Sequence, residues 1–174
     1  EDGCLISLWD AWNRFLRTLA LVSASGPTKA TSGAIYWPKT PRTEADSLSH
    51  IKTKKKQYCY RVTASEPNWN IATAYFDIID CLELDSTQIQ IISAAIGTTD
   101  INLGVVTVQN PLEEIRVCRN FVAHKSNGTL QQVENYSKNT FSGLSNHVRT
   151  KRYGVETFFE WTDCMATIAL AAVE

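Results

Sequence analysis

Residues Asn110–Gly128 read NPLEEIRVCRNFVAHKSNG, and the fold class turns on whether this stretch is a helix. Asn110 can cap an N-terminus, Pro111 suits the first helical position, and Glu113 stands three residues after the cap, where a capping box wants an acid. Leu112, Ile115, Cys118 and Val122 then recur at helical spacing, and Asn127-Gly128 offers a left-handed stop. On a wheel of about 100° per residue, Asn120 and His124 stack on one face, with Glu113 and Arg116 on the same side. Arg119 falls between Leu112 and Ile115, at the edge of the apolar arc. A guanidinium there needs a partner or an anion.

Arg119-Asn120-Phe121-Val122-Ala123-His124 resembles the R-N-x-x-x-H motif of HEPN domains. A Trp-rich helix opens the chain and a long helix closes it, which is similar to that family's layout. The resemblance implies an all-α, HEPN-like bundle of about five helices, and a metal-independent endoribonuclease of the toxin or defence type. It further implies a composite site at a homodimer interface, with Arg119, Asn120 and His124 as catalytic residues. Toxins of this family silenced by a nucleotidyltransferase partner often carry a tyrosine two residues after the histidine; here that place is Ser126, so control falls to another antitoxin or a regulatory domain. Members that keep the fold without activity imply the alternative, a noncatalytic dimerisation or RNA-binding module.

The residue types fit such chemistry independently. RNA carries its own nucleophile, the 2′-hydroxyl, so its cleavage needs a base, an acid and positive charge at the phosphate, and no metal or other cofactor. An imidazole titrates near 6.5 in general and can be base or acid at neutral pH. The Arg119 guanidinium matches phosphate oxygens, and Asn120 can orient His124 or bond the phosphate. One chain supplies one histidine in this helix, whereas two proton-transfer groups make the reaction easier, which favours two copies around one cleft.

Composition sets the outer limits. With 174 residues, 44% hydrophobic and 20% charged, the chain reads as a single globular domain over 1–174. It starts at Glu1 without methionine and stops at Glu174 in a helical pattern, as a piece of a longer protein would. The net charge of −1 offers no general attraction to nucleic acid, so RNA must be met by local patches. Cys4, Cys59, Cys81, Cys118 and Cys164 are far apart and contain no Cys-x-x-Cys pair, which argues against zinc or a disulfide framework and fits a reducing, cytoplasmic setting. No apolar run has the length of a membrane span, so no membrane partner is expected. No Gly-rich phosphate loop or internal repeat occurs.

Along the chain, Ser7 to about Ser25 reads as an amphipathic helix opened by a Ser7/Asp10 capping box, burying Leu8, Trp12, Phe15, Leu16, Leu19 and Val22 and ended by Gly26-Pro27. Trp9 and Trp12 read as core or subunit contact rather than as a platform for bases. Residues 26–43 form an ordered loop anchored at Tyr36-Trp37-Pro38, and 44–57 a short helix leading into Lys52, Lys54, Lys55 and Lys56, a phosphate patch or a solvated face. Residues 58–63, YCYRVT, make one short peripheral strand. Helices follow from Trp69 to about Leu84 and from Ser86 to Ile96, with Asp77, Asp80, Glu83 and Asp85 as a wet face; 98–109 is a linker. After the central helix, Thr129 to about Lys138 is helical and 139–150 is loop. The substrate-binding residues are then Arg116 and Lys125 from the central helix and His147, Arg149, Lys151 and Arg152 from the basic cluster beside Tyr153. Cys118, at the centre of the apolar arc, reads as core. A last helix runs from Val155 to about Val173.

Overall fold

The capping side chains, more than the apolar periods, decide where the helices of this chain begin. The structure is a computed structural model and describes residues 2–54, 75–136, 143–152 and 155–174. Among these the chain is mostly helical, in the all-α class: α1 (Asp2–Ser25), α2 (Glu44–Lys54), α3 (Tyr75–Cys81), α4 (Ser86–Gly97), α5 (Leu112–His124), α6 (Asn127–Tyr136), α7 (Leu144–Arg149) and α8 (Thr157–Ala171). Three short antiparallel hairpins punctuate them: β1 (Thr28–Lys29) with β2 (Ile35–Tyr36), β3 (Asp100–Asn102) with β4 (Thr107–Gln109), and β5 (Lys151–Arg152) with β6 (Val155–Glu156). The chain divides into two compact units, one of Glu1–Ala11 and Thr98–Ile168, the other of Trp12–Gly97 and Ala169–Glu174. Helices α1 and α8 each contribute to both. The expected strand at 58–63, the lysines Lys55 and Lys56, and the start of the helix expected from Trp69 lie outside the described residues, as does Tyr153.

In the second unit the buried apolar side chains come from α1, α2, α3 and α4: Leu16 and Ala24, Ile51, Tyr75 and Ile79, and Ile92. The cap of α2 is Thr43, whose Oγ1 accepts the Asp46 N–H at 3.1 Å and donates to Asp46 Oδ2 at 2.7 Å. Asp85 caps α4, its Oδ1 accepting from the N–H groups of Thr87 (2.8 Å) and Gln88 (3.1 Å), so it serves a helix start rather than a wet face. Glu83, at φ 56°, makes the left-handed turn between α3 and α4. Arg42 ties that turn down by donating to the Leu82 carbonyl (3.0 Å) and to Glu83 Oε2 (2.8 Å), and its guanidinium holds the Glu83 carboxyl below the usual carboxylate range.

The first unit gathers its core from Leu5 and Trp9 of α1, Ile115 and Cys118 of α5, Val133 of α6, and Trp161 and Met165 of α8. Cys118 is thus core, and both Trp9 and Trp12 are buried. The stretch 98–109 is a hairpin, not the plain linker expected. Asn102 Oδ1 accepts the Gly104 N–H at 2.8 Å, Gly104 turns with φ 88°, and Ile101 pairs with Val108, both buried. A glycine is needed at 104 because other residues are strained at that φ. Ile101 and Val108 put only one apolar pair on the core side, too little for a period-2 pattern to announce itself.

Four more expectations need correcting. Helix α1 starts by Asp2, so Ser7 and Asp10 lie inside it and form no capping box. Its buried face runs through Leu5, Trp9, Trp12, Leu16 and Ala20, rotated from the expected one, and Val22 is half exposed. The region 26–43 carries the β1–β2 hairpin, and within the expected anchor Trp37 is 60% exposed while Tyr36 is half-buried and Pro38 buried. Residues 144–149 of the expected loop form helix α7.

Asn110 joins the β3–β4 hairpin to α5. Its backbone N–H donates to the Thr99 carbonyl and its Nδ2 to the Thr98 carbonyl, both at 2.8 Å, while its Oδ1 accepts the Leu112 N–H at 3.0 Å. Asn110 thus bonds the helix start from one residue outside it: the cap position itself is Pro111, which was expected as the first helical residue, and Glu113 does not reach back to complete a box but pairs with Arg116. Asn110→Ala removes two side-chain bonds, one of them to the first N–H of the helix. Urea unfolding should show a loss of about 1–2 kcal/mol, seen as a lower midpoint at unchanged slope.

Candidate functional site

Helix α5 positions the Arg119/Asn120/His124 set. It stops earlier than expected: Lys125 takes the left-handed conformation (φ 45°, ψ 39°) and donates its N–H to the Phe121 carbonyl at 2.8 Å. Asn127 and Gly128 open α6 rather than closing α5, because Ser126 and Thr129 cap each other. The Thr129 N–H donates to Ser126 Oγ (3.2 Å) and the Ser126 N–H to Thr129 Oγ1 (3.1 Å), a box with threonine in place of the usual acid. His124 consequently sits in the last turn of α5, exposed, at the end of the helix dipole where a cation is welcome.

Arg119 and Asn120 are half-buried neighbours, with the Arg119 Nη1 donating to Asn120 Oδ1 at 3.3 Å. The Arg119 Nε is buried and, among the described residues, has no hydrogen-bond partner. A guanidinium so placed retains donors for an acceptor brought from outside, and an anion is the acceptor it holds best. Among the described residues no hydrogen bond or ion pair joins His124 to another side chain. Arg116 is engaged by Glu113, Nε to Oε2 at 2.6 Å and Nη2 to Oε1, and that bond raises the Arg116 pKa above its ordinary value. Lys125 is exposed beside His124, and Arg149 is exposed on α7. Lys151 and Arg152 form β5, with only their backbone described.

His147 departs most from expectation. Instead of pointing from a loop into solvent, it turns inward from α7: its side chain is 9% exposed and its Nε2 lies 2.9 Å from Glu114 Oε1. Glu114 is equally buried, and its Oε2 accepts the indole N–H of Trp161 at 3.3 Å. The imidazole and the indole lie 6.0 Å apart at 50°. This Glu114–His147–Trp161 cluster was missed in the sequence, although one signal was there. Glu114 falls on the apolar arc of α5 about 40° from Cys118, and an acid on a buried arc announces a partner.

Two cysteines are enclosed in the first unit. The Cys164 thiol is pushed up to about 12, by burial first and then by the carboxylates of Glu160 and Asp163. At pH 8 it should react with iodoacetamide on the order of 10²–10³-fold more slowly than an ordinary thiol of pKa about 8.5. Exposed Cys4 should label before buried Cys118 and Cys164 in peptide mapping, with those two labelling on denaturation. The raised pKa also fixes a sign: the unfolded thiol ionises first, so stability is full below about 8.5 and is lost as pH climbs toward the folded value.

No protein-family model matches the chain, and no curated protein or solved structure matches it. Among the described residues, no group of three or more His, Cys, Asp or Glu side chains could hold a metal ion, and no helix is long and apolar enough to cross a membrane.

Proposed function

We propose that the chain is a HEPN-type endoribonuclease, cutting RNA in the cytoplasm at a composite site between two copies, with Arg119, Asn120 and His124 doing the chemistry. The observation that carries this reading is the combination on one helix of a half-buried guanidinium with an unpartnered Nε, an amide bonded to it, and an exposed imidazole in the last turn. The 2′-oxygen attacks phosphorus as one His124 takes its proton. The bond to the 5′-oxygen breaks as the second copy's imidazole, protonated, returns a proton to that oxygen. The products are a 2′,3′-cyclic phosphate and a free 5′-hydroxyl, with Arg119 balancing charge on the phosphate oxygens. Lys125, exposed just past the end of the helix, serves a neighbouring phosphate, and Arg116 serves another by exchanging Glu113 for it. Restraint by an antitoxin or a regulatory domain belongs to this proposal.

A second reading has its own support. The Arg119–Asn120 bond satisfies part of the guanidinium locally, which suits a noncatalytic dimerisation or RNA-binding module. The test is incubation of the purified protein with pooled transfer, messenger and single-stranded RNA in EDTA, beside an Arg119→Ala/His124→Ala variant, with both masses measured by light scattering. Cleavage by the dimeric parent alone, leaving cyclic phosphate ends, supports the enzyme. Equal cleavage by both, or none by a dimeric parent on every RNA class, overturns it in favour of the module.

A further inference from the structure

In the second unit, α1, the β1–β2 hairpin, α4 and the residues after α8 enclose a half-open cavity of about 260 Å³. Its walls are almost wholly apolar. Phe15, Leu19 and Val22, expected in the core, line it instead, which accounts for an apolar α1 face that is not fully buried. Gln88 also lines it, and it is the chemically telling residue. The side chain is 95% buried, its Nε2 donates to Ser23 Oγ at 2.8 Å, and its Oε1 has no hydrogen-bond partner among the described residues.

A buried carboxamide oxygen without a donor carries a desolvation cost of about 1–3 kcal/mol that an incoming O–H or N–H would relieve. As placed, with Nε2 donating to Ser23 Oγ, the amide keeps Oε1 as its free acceptor. Size limits the occupant: an apolar cavity of about 150 Å³ takes one benzene ring, so this one takes a body on the order of ten heavy atoms, too small for a folded partner segment. Charge limits it as well, because Lys29 and Glu174 contribute opposite signs to the lining and the other lining residues are uncharged. We infer that this cavity is a binding site for a small uncharged amphiphile, with a one- or two-ring apolar body carrying a single hydroxyl or N–H that is received by Gln88. The site lies in the unit that does not contain Arg119 or His124, so it stands whether or not the chain cuts RNA.

The test uses three probes of one shape on the intact chain, followed by amide NMR titration: 2-naphthol, 2-methylnaphthalene and 2-naphthalenesulfonate. Expected are saturable shifts at the residues lining the cavity for 2-naphthol, with about tenfold weaker binding of the methyl analogue, which lacks the donor. The sulfonate should bind more weakly than 2-naphthol. Leu19→Trp, at a partly exposed wall position, should remove binding of all three by filling the cavity. Gln88→Leu should bring 2-naphthol and 2-methylnaphthalene to equal affinity, a ratio insensitive to a general loss of stability. The proposal is overturned if 2-naphthol leaves those amides unmoved, if Leu19→Trp binds as the parent does, if parent affinities for naphthol and methylnaphthalene are equal, or if the sulfonate binds tightest.

Discussion

Alanine in place of His124 is expected to lower the rate of RNA cleavage by about 10²–10⁴-fold while leaving the urea midpoint of the protein where it was. The two halves of that expectation come from different facts. On the proposed mechanism His124 moves the proton of the 2′-hydroxyl in one copy and serves the leaving oxygen in the other, so one substitution removes both groups from a symmetric pair. Its side chain is exposed at the end of α5 and, among the described residues, makes no bond to another side chain, so its loss leaves neither a cavity nor an unpaired group. Mixing the parent with an excess of His124→Ala chains adds a stringent check. If the site is shared between copies, each mixed dimer holds one imidazole where the mechanism needs two, so the rate should fall with the square of the parent fraction rather than in proportion to it. A variant that keeps more than a tenth of the parent rate removes His124 from the chemistry.

How much of this was legible in the sequence depended on whether the deciding contact was local. The path of α5 was readable because Asn110, Pro111 and the i, i+3, i+4 apolar series all act within one or two turns. Its end was misjudged by two or three residues: Asn127-Gly128 is an ordinary stop signal, but Ser126 and Thr129 close a reciprocal cap that claims those residues for α6. The same competition between local grammars misplaced the start of α1, where Ser7 and Asp10 have capping spacing yet lie inside a helix already running.

Side-chain direction was harder to read. His147 looked like a surface residue because its neighbours Arg149, Lys151 and Arg152 are basic, and nothing within a turn of it says otherwise. What turns it inward is Glu114, 33 residues earlier, and Glu114 is itself held by Trp161, 47 residues later. Phe15, Leu19 and Val22 show the converse. Their spacing is that of a buried face, and whether that face is covered or left lining a cavity depends on β1, β2 and α4. Within the candidate site, then, the helix and the order of Arg119, Asn120 and His124 along it could be read, and the buried cluster one turn from its start could not.

That cluster makes Trp161 the position where a single change should cost most. Trp161→Ala is expected to destabilise the protein by about 3–5 kcal/mol, a large share of a typical domain's stability of about 5–15 kcal/mol. The indole is fully buried, and removing it leaves a cavity that the packed helix around Cys164, Met165 and Ile168 can close only in part. It also takes the N–H from Glu114 Oε2, leaving a buried carboxylate that depends more heavily on His147. Trp161→Phe separates the two losses, since it keeps an aromatic ring beside His147 while deleting the N–H donor. It should cost about 1–3 kcal/mol, less than alanine but more than a volume-conserving swap of under about 1.5 kcal/mol would if Glu114 were already satisfied. Glu114→Ala should cost more than Trp161→Phe, because it strands both His147 and the indole N–H in a buried place, at about 1–3 kcal/mol for each unsatisfied group. Urea titrations followed by circular dichroism at 222 nm give all three. If Trp161→Phe is neutral while Trp161→Ala is severe, the indole acts by volume alone and the Glu114 bond contributes nothing; if both are mild, Trp161 does not hold α8 in the core of the first unit.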